Sequence, residues 1–131
     1  MSSPKVYSEK ITVTQDHIDQ LDHVNNVVYL KWVQYIAEQH WYFLSLKPIQ
    51  KQFIWVVLSH YIEYKRPAKL GDELTIETFV ESFEGVKSIR RVNVKRGDQL
   101  LVTAKTEWCM LDAQSMRPKR VTEEVIKPFF E

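Results

Sequence analysis

Residues 26–44, NVVYLKWVQYIAEQHWYFL, decide the fold of this chain. The stretch contains neither glycine nor proline, and its polar positions Lys31, Gln34 and Glu38 recur at helical spacing. Almost all of its other residues are apolar or aromatic, whereas a helix on the surface of a protein needs only one apolar face. The stretch therefore predicts a long, central helix that the rest of the chain wraps.

The segments on either side of this helix have the composition and alternation of strands. Five such segments occur, at residues 5–13, 53–64, 73–81, 86–95 and 100–110. Glycine-containing turns separate the later segments, so we expect the last four strands to form an antiparallel meander. The order of elements predicts an α+β fold, in which one curved antiparallel sheet of five strands wraps around one helix.

The bulk composition is that of a globular protein with one core. The 131 residues fit a single domain, residues 1–131, and 44% of them are hydrophobic and 27% charged. A formal net charge of +1 argues against nucleic acid as a partner. No stretch approaches the length that spans a bilayer, and the alternating first thirteen residues do not resemble a signal peptide. The single cysteine, Cys109, excludes an internal disulfide, so we expect a cytoplasmic protein in which Cys109 is a core residue.

The loop before the helix is unusually rich in ionisable groups. It reads DHIDQLDHVNN, residues 16–26, and either Asn25 or Asn26 is a suitable N-cap. The N-terminus of a helix presents unpaired N–H groups that can stabilise an oxyanion, and a nearby carboxylate can attack an acyl carbon or direct water at it. Composition alone favours the simpler alternative of solvated acids and capping asparagines. The histidines and carboxylates match no standard spacing of metal ligands, so we expect no metal site.

Three segments resemble one enzyme family. Residues 19–32, DQLDHVNNVVYLKW, are similar to the Asp-x-x-Gly-His-Val-Asn-Asn-x-x-Tyr signature of hotdog acyl-CoA thioesterases of the 4-hydroxybenzoyl-CoA type, which are related to acyl-ACP thioesterases. Residues 62–72, IEYKRPAKLGD, and residues 117–121, RPKRV, resemble later segments of that family. The resemblance covers nearly the whole chain. It implies a hotdog fold and hydrolysis of an acyl-CoA or acyl-ACP thioester to a free acid and a thiol, without a metal or other cofactor.

The resemblance also implies roles for individual residues. Asp19 stands where the family has its catalytic carboxylate, as nucleophile or general base, and Asn26 where a backbone N–H faces the thioester carbonyl. His23 and Asn25 are expected to orient these groups or to hydrogen-bond to them. Three cations are expected to bind the phosphates of coenzyme A, at Lys87, Arg117 and Lys119.

Two positions depart from the family pattern. Asp22 stands where the family usually has glycine, which indicates a backbone conformation or a close approach that a side chain disturbs. Aspartate tolerates left-handed conformations better than most residues, so we expect the loop to form and the change to affect activity more than folding. The asparagine that the acyl-ACP branch has at the position of Leu21 is absent.

Two alternative functions remain open. A hotdog hydratase or dehydratase would act on the same thioesters, but those members pair an aspartate with a histidine five positions on, whereas Asp19 and His23 are four apart. A non-catalytic acyl-CoA-binding domain would result if Asp22 has abolished turnover. Under any of these functions, the open edge and mouth of a single curved sheet favour a homodimer or homotetramer.

Overall fold

The computed structural model describes residues 2–131 and confirms a five-stranded antiparallel sheet with one long helix. Met1, the first residue of the predicted domain, lies outside the described residues. The strands are β1 (Tyr7–Thr12), β2 (Phe53–Tyr64), β3 (Glu73–Glu84), β4 (Lys87–Arg96) and β5 (Gln99–Asp112). The helices are α1 (Asn26–Leu44), α2 (Lys47–Gln52) and α3 (Glu123–Ile126), with 3-10 turns at Gln15–His17 and Lys127–Phe129.

The strand order in the sheet is β1-β3-β4-β5-β2. Strands β3, β4 and β5 form a meander, but β2 pairs with β5 at the far edge, so the predicted meander of four strands was wrong. The reason is the connection formed by residues 65–72, which exceeds the roughly two to five residues of a hairpin loop and carries the chain across the sheet. The ladders shift register at three places, and such bulges bend a sheet.

Helix α1 packs against β1, β3 and β4. It buries one side in the core through Tyr29, Trp32, Val33, Ile36, Ala37, His40 and Trp41. Its other side leaves large side chains exposed, among them Tyr35, Tyr42 and Phe43. A single chain therefore covers only part of the helix that the sequence predicts to be wrapped.

Two short helices, α2 and α3, occupy positions where the sequence predicted no helix. Pro48 lies in the first turn of α2, where its missing N–H costs nothing. Only strands were predicted after residue 51, yet α3 and the 3-10 turn that follows it bury Val125 and Phe129 in the core. Cys109 is buried in β5, as predicted. Within residues 2–131, no helix is sufficiently long and apolar to cross a membrane.

Candidate active site

The loop between β1 and α1 folds back on itself as a tight turn. Ile18 and Val24 form an isolated antiparallel bridge, and the Asp22 N–H donates to the Asp19 carbonyl oxygen at 3.1 Å. Asp22 has a φ of +61°, the left-handed conformation that favours glycine. The glycine of the family pattern is thus explained by the backbone, and aspartate adopts the same conformation.

The carboxylate of Asp19 is held at one oxygen only. Its Oδ1 accepts hydrogen bonds from the N–H of Leu21 at 2.8 Å and from that of His23 at 3.4 Å. Its Oδ2 receives no hydrogen bond from residues 2–131, and the residue is half-buried. The arrangement fixes the direction of the carboxylate and leaves one oxygen available for chemistry.

The N-terminus of α1 retains a free donor. Asn25 is the N-cap, since its Oδ1 accepts the Val27 N–H at 2.9 Å and its carbonyl oxygen accepts the Val28 N–H at 2.9 Å. The Asn26 N–H has no acceptor among the described residues. A free N–H at the positive end of a helix dipole can bind a carbonyl oxygen that gains negative charge.

The segment that follows β2 forms the facing wall. The Val24 N–H donates to the Ala68 carbonyl oxygen at 2.9 Å, and the Ala68 N–H donates to Oη of Tyr29 at 3.2 Å. Burial raises the pKa of Tyr29, so this buried phenol stays neutral and holds the wall against α1. The two walls line an open cavity of about 380 Å³, which we call the Asp19 cavity. It is lined by Asp19, Leu21, His23, Val24, Asn25, Asn26, Tyr29, Tyr64, Lys65, Arg66 and Pro67.

The structure therefore brings together the four residues with predicted catalytic roles, Asp19, His23, Asn25 and Asn26. Two exposed cations for which no role was predicted, Lys65 and Arg66, line the same cavity. The signal for them was present, because this basic pair follows directly after a strand in the second family-like segment.

The three residues predicted to bind phosphate lie elsewhere in the chain. Lys87 begins β4 and pairs with Glu107 at 3.3 Å, whereas Arg117 and Lys119 follow β5. Lys87 is opposite Cys109 on β5, while Tyr64 of the Asp19 cavity is opposite Val102. At about 3.3 Å per residue, these positions on β5 are roughly 23 Å apart. One chain therefore does not bring the predicted cations to the Asp19 cavity.

His60, on β2, does not line the Asp19 cavity. His60 has Nδ1 2.8 Å from Oγ1 of Thr106 and Nε2 3.4 Å from Nε2 of Gln34, and burial lowers its pKa. It is a half-buried, hydrogen-bonded residue of the sheet. Among residues 2–131, no group of three or more histidine, cysteine, aspartate or glutamate side chains could hold a metal ion.

Comparison with known proteins gives a consistent result. The family model of the acyl-ACP thioesterase N-terminal domain matches residues 4–129. YbaW, a probable thioesterase from Escherichia coli, is 24% identical with a TM-score of 0.81, and the match covers 95% of this chain and 98% of that chain. Slr0204, a 1,4-dihydroxy-2-naphthoyl-CoA thioesterase from Synechocystis, is 16% identical with a TM-score of 0.80, covering 95% and 96%.

A third solved structure, the hypothetical protein SAV2348 from Staphylococcus aureus, was determined in complex with CoA. It is 16% identical to this chain with a TM-score of 0.85, and the match covers 95% of this chain and 82% of that chain. No curated protein matches. The structural likenesses establish the shared hotdog fold.

Proposed function

Since the chain belongs to the acyl-ACP thioesterase N-terminal domain family, we propose that it hydrolyses an acyl-CoA, or an acyl-ACP, to a free acid and a thiol. One observation carries the proposal. A carboxylate with a free oxygen, Oδ2 of Asp19, and an unpaired helix N–H, that of Asn26, belong to residues that line one cavity. These are the two groups that acyl transfer to water requires.

The chemistry follows from these two groups. The thioester carbonyl oxygen accepts the Asn26 N–H, which stabilises the charge that develops as the carbonyl carbon becomes tetrahedral. Oδ2 of Asp19 either attacks that carbon, expelling the thiolate and leaving a mixed anhydride that water hydrolyses, or removes a proton from an attacking water. Both routes end in the free acid and the thiol.

The other two predicted residues hold the helix N-terminus and Asp19 in position. Asn25 caps α1 with its side chain and thereby satisfies the Val27 N–H, while the Asn26 N–H stays unpaired. His23 fixes Asp19 through its own N–H and carbonyl oxygen. Its imidazole belongs to the lining of the cavity, where it can hydrogen-bond to the substrate.

A second copy of the chain explains the position of the predicted cations. Strand β2 is an edge strand, and its exposed apolar side chains are Val56, Leu58, Tyr61 and Tyr64. Antiparallel pairing of β2 with β2 of a second copy would set the Phe53 end of one sheet beside the Tyr64 end of the other. The end that carries Lys87, Arg117 and Lys119 would then approach the partner's Asp19 cavity. The proposed homodimer is therefore needed for a complete site, because one copy contributes the Asp19 cavity and its partner contributes the three cations.

A panel of acyl-CoA thioesters with a thiol reagent tests the function. We expect thiol release that depends on Asp19, and the same acyl groups on ACP show which carrier is preferred. Loss of enoyl absorbance without thiol release would instead identify a hydratase. Calorimetric binding of acyl-CoA without turnover would identify a binding domain.

A further inference from the structure

Arg90 is a buried cation without a buried anion. It lies on β4 with 6% of its surface exposed, and its Nη1 is 2.8 Å from Nδ1 of His40 and 3.1 Å from Oγ1 of Thr78. Burial and the guanidinium charge lower the pKa of His40 to about 3, so the imidazole is neutral and Nδ1 accepts the hydrogen bond. No carboxylate of residues 2–131 forms an ion pair with Arg90.

The remaining donors of Arg90 are also unused. Its Nε and Nη2 make no hydrogen bond to the described residues. The ring of Phe129 lies 5.9 Å from Cζ, which gives a cation–π contact but no acceptor. An unpaired charge in the interior is costly, and proteins usually offset it with a counter-charge that is also hydrogen-bonded. The described residues supply no such counter-charge to Arg90.

Arg90 lines a second cavity, of about 330 Å³, which we call the Arg90 cavity. Its walls are mainly aromatic and come from the second half of α1, the adjoining ends of the sheet and the C-terminal 3-10 turn: Trp41, Trp55, Phe83, Trp108 and Phe129. Arg90 thus offers unused donors within apolar walls, and the volume suits a small organic ligand.

We propose that the Arg90 cavity binds a carboxylate carried on an aromatic or aliphatic body, with the Arg90 guanidinium as the partner of the carboxylate. The aromatic walls accept the body, and the planar fork of arginine matches two carboxylate oxygens. Exposed Glu38 and Tyr42 also line the cavity and mark the side that opens to solvent.

The carboxylate belongs to one of two kinds of molecule. It is carried either by a free organic acid or by the far end of an acyl group whose thioester lies in the Asp19 cavity. The second source rests on the proposed function and on the proposed dimer. Antiparallel pairing of β2 would bring the Phe53 end of one copy, which carries the Arg90 cavity, next to the partner's Asp19 loop.

Calorimetry tests the binding site without any need for catalysis. The probes are 3-phenylpropanoate and 3-phenylpropanamide, which share a shape but differ in charge. We expect the acid to bind at least about tenfold more tightly than the amide, since hydrogen bonds to a charged partner are the stronger ones. Arg90→Gln should remove this preference. The matched control is Arg91→Gln, because Arg91 is only half-buried and pairs with Glu81 at 3.4 Å. Equal binding of acid and amide, or no binding of either, would overturn the proposal.

A second variant tests the proposal with Arg90 in place. Ser88 lies two positions earlier, on the same face of β4, and lines the same cavity. Ser88→Asp supplies an internal carboxylate, so it should raise the thermal midpoint and abolish the preference for the acid. Ser88→Asn, which has the same shape without the charge, should do neither. A Ser88→Asp protein that still prefers the acid contradicts the assignment.

Kinetics distinguishes the two sources. Octanoyl-CoA is compared with the CoA monothioester of octanedioic acid, which adds a terminal carboxylate. A higher kcat/KM for the second thioester, lost in Arg90→Gln, supports the acyl group as the source. Similar kcat/KM values for the two thioesters, together with binding of 3-phenylpropanoate, support a free organic acid as the ligand. Hydrolysis of neither thioester would count against the proposed function alone, because the calorimetric result stands without turnover.

Discussion

Asp19 and His23 are joined by two hydrogen bonds: the Asp19 N–H donates to the His23 carbonyl oxygen at 2.9 Å, and the His23 N–H donates to Oδ1 of Asp19 at 3.4 Å. The four-residue spacing in the sequence is therefore the spacing of a closed turn. The turn fixes Oδ1 and leaves Oδ2 without a hydrogen bond from residues 2–131.

The first prediction is that Asp19→Asn reduces kcat by a factor of about a hundred to ten thousand, because the amide is neither a nucleophile nor a base. Folding should be nearly unaffected, since the side-chain oxygen can still accept the Leu21 and His23 N–H groups. The measurement is kcat on a confirmed thioester. Asp16→Asn is the control, because Asp16 is exposed and does not line the Asp19 cavity. Wild-type kcat in Asp19→Asn would refute the assignment and move attention to the His23 imidazole.

The second prediction is that Asp22→Gly raises the free energy of unfolding by up to about 1 kcal/mol, since it removes a side chain from a left-handed conformation. The kcat should be equal or higher, because the change also removes a negative charge near Asp19. Denaturant unfolding and steady-state kinetics measure the two effects. Met116, with a φ of +60°, provides the control: Met116→Gly should change stability without changing kcat. A fall in kcat for Asp22→Gly alone would show that the aspartate side chain contributes to activity.

The third prediction concerns assembly. Light scattering should report at least twice the mass of 15.6 kDa, and replacing Leu58 and Tyr61 together by lysine should shift the protein toward the monomer and reduce its activity. Leu70→Lys is the control, since Leu70 is exposed but lies outside β2. A wild-type monomer at micromolar concentration would contradict both the homodimer and the proposed origin of the cations.

The sequence predicted the elements that local pattern determines. The apolar stretch of α1, the alternation of the strands and the unusual residue at Asp22 each depend on near neighbours, and the structure confirms them. The pairing of β2 was mispredicted because a strand of this pattern can pair with either β3 or β5. Only the length of the 65–72 connection favours β5.

The same limit applies to the candidate sites. The Asp19 cavity was largely predictable, since one continuous loop carries most of its chemistry. The Arg90 cavity was not, because its charge stands in an ordinary alternating strand and its partners His40 and Thr78 are distant in the sequence. No local pattern distinguishes Arg90, which is buried, from Arg91, which pairs with Glu81 at the surface.

The fourth prediction is that charge reversal at Lys87, Arg117 and Lys119 raises KM for acyl-CoA and affects kcat less, since these residues are expected to bind phosphate. Mixed dimers identify which chain supplies them. When equal amounts of Asp19→Asn and triple-variant subunits exchange freely, about half of the dimers are mixed. One of the two sites in each mixed dimer combines an intact Asp19 with intact cations from the partner, which is roughly a quarter of all sites. Recovery of activity on mixing supports supply from the partner subunit, whereas no recovery means that both sets act within one chain.

The fifth prediction concerns acid stability. His40 is almost fully buried, stacked on Tyr7 at 5.5 Å and packed edge-on against Phe129 at 5.0 Å, with Arg90 beside it. Burial and the Arg90 charge lower its pKa to about 3 from its ordinary value of 6.5. Above pH 6.5, His40 is neutral in both the folded and the unfolded chain. Between pH 6.5 and 3, the unfolded chain binds a proton at His40 that the folded chain does not, and this difference opposes folding. Stability should therefore fall as the pH drops below 6.5, by up to about 1.4 kcal/mol per pH unit from this group.

Carboxylates titrate in part of the same range, so the prediction is tested by difference. His40→Asn keeps an acceptor for Arg90 but cannot take up a proton, and its free energy of unfolding should depend less on pH between 6.5 and 3. The stability of the wild type relative to this variant should be constant above pH 7.5 and decline steadily below 6.5. His60→Asn is the control, because His60 is only half-buried and its pKa is lowered by burial alone. Denaturant unfolding across the pH series measures all three proteins. A wild-type curve parallel to that of His40→Asn would show that the imidazole takes up its proton at the same pH in the folded and the unfolded chain, which contradicts the prediction.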